Sequence, residues 1–124
     1  MSEKQFKKKG WGTELWIHND EDYCGKILTM KSDSIMSYHY HLLKKETFYC
    51  KSGSGWIILG GEGVMKLKHA NSSPERWIRT EPGTVVEVPR GTPHMVISGE
   101  LGMTLLEVST QHFEEDSYRI MRGM

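Results

Sequence analysis

The chain has 124 residues, 37% hydrophobic and 26% charged, with Lys+Arg and Asp+Glu both totalling 16. That balance fits one globular domain over 1–124 with a core of its own, and excludes a disordered segment. A net charge of zero argues against a general nucleic-acid or membrane-surface partner.

Read in chain order, residues 1–9 carry Lys4, Lys7, Lys8 and Lys9 and are expected to form a flexible, solvated basic arm. No apolar h-region follows them, and no apolar run is long enough to span a bilayer, so the expected compartment is the cytoplasm. Cys24 and Cys50 form no CxxC; a cytosolic pair stays reduced, and Cys50 reads as a small apolar filler. Turn signals at 19–20, 52–55, 60–63, 71–74, 82–83, 89–93 and 98–102 separate short runs rich in β-branched and aromatic residues, such as 56–59, 84–88 and 103–108. This spacing predicts an all-β sandwich or barrel. Residues 112–124 are polar and charged and read as a short helix or a tail packed on the barrel.

Residues 38–55, YHYHLLKKETFYCKSGSG, carry the chemistry. Side chains alternate along a strand, so His39 and His41 share one face while Tyr38 and Tyr40 take the other. Residues 42–45 lead into a second strand opened by Glu46, with Glu46, Phe48 and Cys50 on one face. Antiparallel pairing of these two strands sets Glu46 opposite the histidines, and Gly53 and Gly55 close the hairpin. A further donor comes from His94, after the Pro- and Gly-rich turn 88–93. Three imidazoles and a carboxylate suit one divalent transition metal per chain (Zn, Fe, Mn, Ni or Co) and leave one or two positions open. His18, His69 and His112 lie near loops or the tail and read as solvated.

His39, His41, Glu46 and Gly53 fill an HxHxxxxE…G pattern; Gly83, Pro89, Gly91 and His94 fill a G…PxGxxH pattern, with Ser98 where an Asn usually closes it. Both resemble the two motifs of the cupin family. The resemblance implies a double-stranded β-helix (jelly-roll) barrel with the metal inside. More narrowly, Lys9-Gly10-Trp11-Gly12-Thr13-Glu14 is similar to the opening of type II mannose-6-phosphate isomerases. Leu106-Glu107-Val108, followed by Glu114-Glu115-Asp116-Ser117-Tyr118-Arg119-Ile120, resembles their closing segment. In that family Gln usually stands at the position of His39, Arg at those of Lys44 and Met95, Asn at that of Ser98, and Trp near Phe48.

The resemblance implies a metal-dependent aldose–ketose isomerase acting on a sugar or sugar phosphate, with Lys44, Glu114 and Arg119 as catalytic or substrate-contact candidates. It also implies a homodimer that exchanges an N-terminal strand around Thr13 to Ile17. His39 in place of Gln fits a non-haem iron dioxygenase as well, and a non-catalytic sugar-binding cupin is a third reading. Trp11, Trp16, Trp56 and Trp77 read as packing residues, with one or two available to stack on a sugar face.

Overall fold

Nine strands and one 3-10 turn make up the described residues, 5–60 and 75–121, of this computed structural model. In order they are β1 (Gln5–Lys9), β2 (Gly12–Asn19), β3 (Cys24–Met30), β4 (Tyr38–His41), β5 (Glu46–Leu59), β6 (Arg76–Thr80), β7 (Val85–Val88) and β8 (His94–Ser109). The turn Glu114–Asp116 and β9 (Ser117–Met121) follow. The sheet runs β1-β2-β3-β8-β4-β9, and β5 lies against β6, β7 and β8, every pairing being antiparallel. The all-β class expected from the spacing of short apolar runs is therefore present. No helix among the described residues is long and apolar enough to cross a membrane.

Alternation decides what faces inward. On β3, Cys24, Lys26, Leu28 and Met30 are buried; on β5, Glu46, Phe48 and Cys50 are. Leu28, Phe48, Ile57, Val96 and Leu105 anchor one apolar cluster. Removing such side chains from water supplies about 1.5–3 kcal/mol each. Cys50 belongs to this cluster, as its reading as apolar filler anticipated.

The hairpin expected over 38–55 does not form. β4 pairs with β8 and β9, not with β5, and β5 continues through Gly53 and Gly55 to Leu59. Those glycines instead mark a corner where the β5–β8 ribbon folds over, its register jumping from Gly53↔Met103 to Gly55↔Ser98. Gly53 has φ 77°, and a Cβ there would stand 2.2 Å from the Gly102 carbonyl oxygen; at Gly55 it would stand 2.0 Å from that of Ile97. Only glycine fits so close a backbone approach. The corner matters because Glu46 and His94 sit at opposite ends of this ribbon, paired to Ser109 and Leu59. Laid straight, that length of strand would hold them roughly 40 Å apart.

One other expectation changes, and one alternative is decided. Gln5–Lys9 is not a loose arm but an edge strand on β2, and Lys7 reaches Glu114 (3.2 Å) and the Trp16 ring (3.8 Å). Residues 112–121 form the tail alternative: β9 closes onto β4, with Tyr118 stacked on Tyr40. Thr13 to Ile17 lies within β2, paired to β1 and β3 of its own chain. His69 and the turns at 61–63 and 71–74 lie outside the described residues.

Candidate metal centre

β4 places His39 and His41 on the cavity side, and the single β4–β8 pairing sets His39 beside His94. The His39, His41 and His94 rings each present a nitrogen within 4.8 Å of the others, and the three could hold a metal ion. Their Nδ1 atoms lie against backbone carbonyls: Ser37 at 2.7 Å, Asp116 at 3.1 Å and Thr92 at 3.0 Å. Each Nδ1–H donates to its carbonyl, which fixes the tautomer and frees the Nε2 lone pair, the usual support for a ligating histidine.

Glu46 stands beside the group, close to two of its three histidines. Its Oε2 stands 3.5 Å from His41 Nε2 and 3.6 Å from His94 Nε2, too far for hydrogen bonds. Two donors bonded to one ion at about 2.0–2.2 Å stand roughly 3–3.5 Å apart, so the spacing suits shared coordination. Glu46 Oε2 and His94 Nε2 are both buried and have no hydrogen-bond partner. Orphaned buried polar atoms are costly, and a cation between them removes the cost. The three imidazoles could hold a divalent ion, and Glu46 is a candidate fourth donor.

Their protonation agrees. Burial drives the His39 pKa down to about 3, with His94 adding to the effect, and burial drives His94 to about 4. Burial and then the Lys44 charge lower His41 further. All three rings are neutral at neutral pH, the form that ligates. Burial pushes Glu46 well above the usual carboxylate range, against the pull of Lys44. This carboxylate calls for another positive charge.

Behind the cluster lies a buried ion network. Lys44 is 3% exposed; its Nζ donates to Glu107 Oε2 (3.0 Å) and His112 Nδ1 (3.0 Å), and lies 3.7 Å from Glu46 Oε2. Burial alone would lower the Lys44 pKa, but Glu107 and Glu46 raise it above the usual lysine range. Burial would raise Glu107, but Lys44 and Lys26 hold it below the usual range. The ammonium and the Glu107 carboxylate are both charged.

Lys44, Glu114 and Arg119, named from the resemblance, all line the cavity beside the cluster, a space of about 580 Å³ shared with Trp11, Trp16 and Lys26. Their situations differ. Lys44 is locked at the floor, Glu114 is 70% exposed at the rim and bound by Lys7, and Arg119 is exposed on β9 opposite His39. Trp11 and Trp16 face the site, whereas Trp56 and Trp77 meet edge-on at β5–β6, with Trp77 exposed.

His112 corrects the expectation of a solvated side chain, being 8% exposed and bonded to Lys44. Glu107, Lys26 and Asp116 were not singled out for the site. Glu107 and Lys26 carry a readable signal, a charge at the inward parity of a strand. His112 and Asp116 come from an irregular segment and carry none.

Asp116 positions the loop that bears Lys44. Its buried carboxylate accepts the backbone N–H groups of Leu42 (2.9 Å), Leu43 (3.0 Å) and Lys44 (3.1 Å). Asp116→Ala leaves these donors unmet and is expected to cost at least about 1–3 kcal/mol. Urea unfolding measures the loss, with faster amide exchange at 42–44; Asp116→Asn, which keeps an acceptor oxygen, loses less. Unchanged exchange at 42–44 in the alanine variant would contradict this role.

A family model described as Cupin matches residues 15–119. The chain belongs to the cupin family. This cupin is similar to the D-lyxose ketol-isomerase of Thermofilum sp. (strain ex4484_79), with 28% identity over 119 residues, 85% of this chain. It spans 66% of that relative's length. Among solved structures it resembles the capsular polysaccharide assembling protein CapF from Staphylococcus aureus, with TM-score 0.77 and 19% identity over 95% of this chain and 32% of that one. Oxalate decarboxylase from Bacillus subtilis gives TM-score 0.78 and 17% identity, over 94% of this chain and 30% of the other. At these identities the structural likeness shows the jelly-roll fold alone. The cupin's departure at Ser98 is structural: its buried hydroxyl donates to the Lys31 carbonyl (2.5 Å) and accepts from Ser34 N–H (2.9 Å), pinning the β3–β4 connection.

Proposed function

We propose that this cupin is a metal-dependent aldose–ketose isomerase acting on a small sugar or sugar phosphate. The observation that carries the reading is the convergence of three neutral imidazoles and the orphaned Glu46 carboxylate beside an open cavity of about 580 Å³. His39, His41, His94 and Glu46 would hold the ion. A bound divalent ion supplies Lewis acidity toward adjacent carbonyl and hydroxyl oxygens.

The chain's own residues supply the rest. Lys44 stays charged and therefore serves as donor and fixed positive charge where an enediolate develops, not as the base. Its geometry is preorganised by Glu107 and His112, so no reorientation is needed during reaction. Trp11 and Trp16 offer apolar surface to a sugar ring. Glu114 and Arg119, at the open side, are placed to meet hydroxyls or a phosphate at the distal end of the substrate. The likeness to a D-lyxose ketol-isomerase supports a sugar as substrate. The mannose-6-phosphate isomerase-like segments extend the choice to sugar phosphates.

The test is proton NMR of metal-reconstituted protein in heavy water, without oxygen, with lyxose, other free pentoses and hexoses, mannose 6-phosphate and fructose 6-phosphate. Conversion, or deuterium entering carbon 1 or 2, supports the proposal. A silent panel with an occupied site removes it. Oxygen uptake dependent on Fe(II) would then favour the dioxygenase reading, which the third histidine, His39, also suits. Ligand binding without turnover would leave a binding module.

A further inference from the structure

Lys26 and Glu107 are buried charges of opposite sign that face each other on the cavity wall without touching. Register pairs them directly, β3 against β8, and both side chains line the cavity. Directly opposed residues hold their Cβ atoms about 4.5–5.5 Å apart. Even so, no ion pair joins these two within 4.0 Å, because each is held by another group. Glu107 Oε2 is taken by Lys44 Nζ at 3.0 Å. Lys26 Nζ stands over the Trp16 ring, 4.0 Å from its centroid. That ring is itself fixed, its indole N–H donating to Glu14 Oε1 at 2.8 Å and its edge packed against His112. Two atoms are therefore left uncommitted. A ring face orients an ammonium and leaves N–H donors over. Among the described residues Lys26 Nζ makes no hydrogen bond. The bond to Lys44 runs through Oε2 of Glu107 and leaves Oε1 open. Unlike Glu46 Oε2 and His94 Nε2, neither atom is sealed away from the cavity.

We propose that Lys26 and Glu107 form a recognition pair for one hydroxyl of a polyhydroxylated ligand, which accepts from Lys26 Nζ and donates to Glu107 Oε1. The carboxylate repels an anion and the ammonium repels a cation, so a neutral group that both accepts and donates suits the gap. The inference rests on the reading of the cavity as a sugar site and adds a subsite to it. Lys44 Nζ reaches Glu107 at 3.0 Å and Glu46 at 3.7 Å, so the recognised hydroxyl lies near the metal cluster and not at the rim with Glu114. Both partners are preorganised, Lys26 by the Trp16 ring and Glu107 by Lys44. A site built to bond a hydroxyl rejects the analogue that lacks it, because its buried polar groups are then left unmet.

Pentitols and hexitols carry no carbonyl and cannot be isomerised, so their binding to the metal-loaded full chain reads the subsite apart from turnover. Calorimetric titration compares each polyol with its monodeoxy derivatives. For the polyol that binds best, one monodeoxy derivative is expected to bind roughly 10–100-fold more weakly than its parent, the range of a hydrogen bond to a charged group. Lys26→Met is expected to bind that derivative and its parent alike. Lys26→Arg, which keeps a cationic donor, restores part of the difference, and Lys51→Met, exposed on β5, leaves it whole. Circular dichroism shows whether Lys26→Met is folded; if it is not, Lys26→Arg and the wild-type series decide. Monodeoxy derivatives that all bind as their parents do overturn the proposal. So does a preference that survives Lys26→Met, and so does a metal-loaded protein that binds none of the polyols. The isomerase reading fails separately. A silent sugar panel with a Lys26-dependent hydroxyl preference removes that reading and keeps this one, whereas conversion without any such preference does the reverse.

Discussion

His94→Ala protein is expected to retain no stoichiometric metal after desalting, while its circular dichroism remains that of a folded barrel; His41→Ala is expected to do the same. His94 is 1% exposed, and its Nε2 is one of the orphaned atoms at the centre of the site. Removing it takes away one of four donors and the partner nearest His39 across β4–β8. The loss of affinity should exceed the roughly 10–100-fold that follows removal of a mere supporting partner. Elemental analysis of purified, reloaded protein makes the comparison. Full metal content in both variants would dismantle the assignment, including Glu46 as a fourth donor. The Nδ1–H bonds to Ser37, Asp116 and Thr92 give the imidazoles that remain their fixed orientation, so the variants report on donor number rather than on disorder of the rings.

Lys44→Met is expected to cost about 3–5 kcal/mol of stability in the metal-free protein, the range for stripping one partner from a buried ion pair. The substitution keeps an unbranched apolar stem one atom shorter and deletes the ammonium, with its charge and its hydrogen bonds to Glu107 and His112. It leaves both Glu107 and Glu46 with Lys26 as their remaining nearby cation. Urea unfolding of the apo protein measures the effect. The double variant Lys44→Met/Glu107→Leu should recover much of the loss, because replacing a whole buried pair by apolar groups is often neutral or better. A double variant as unstable as the single one would mean that the uncompensated Glu107 charge is not what destabilises Lys44→Met. Activity should not return with stability, since the positive charge at the cavity floor is still missing.

The sequence made these residues legible unevenly, and for physical reasons. His39, His41 and Glu46 were readable because strand alternation converts spacing into a shared face. His94 was readable because a Pro-Gly turn re-aims the chain at a known point. The partner strands were not readable. Gly53 and Gly55 look the same whether they close a hairpin or turn the corner of a long ribbon, and only the close approach of the Gly102 and Ile97 carbonyls distinguishes the two. Lys44 sits in a connection rich in lysine, where a solvated side chain is the ordinary outcome. Its burial depends on Asp116, which holds three amides of that connection from more than seventy residues away. The His112 side chain is shielded for a related reason: Asn19 pins the segment, its Oδ1 taking the His112 N–H at 2.9 Å and its Nδ2 donating to the His112 carbonyl at 3.0 Å. No local pattern announces bonds of that sequence separation.

The folded ribbon also sets a clock. His39, His41 and Glu46 leave the ribosome together, whereas His94 follows Glu46 by 48 positions. At about 5–20 residues per second, the fourth donor arrives roughly 2–10 s later. β8, which His94 opens, supplies the pairing partner for β3, β4 and much of β5, so in that interval the three early donors have no enclosing wall. Ions met during synthesis are held, if at all, by an open three-donor half-site in which water competes freely. A site that needs all four side chains would therefore be complete only after translation has passed β8.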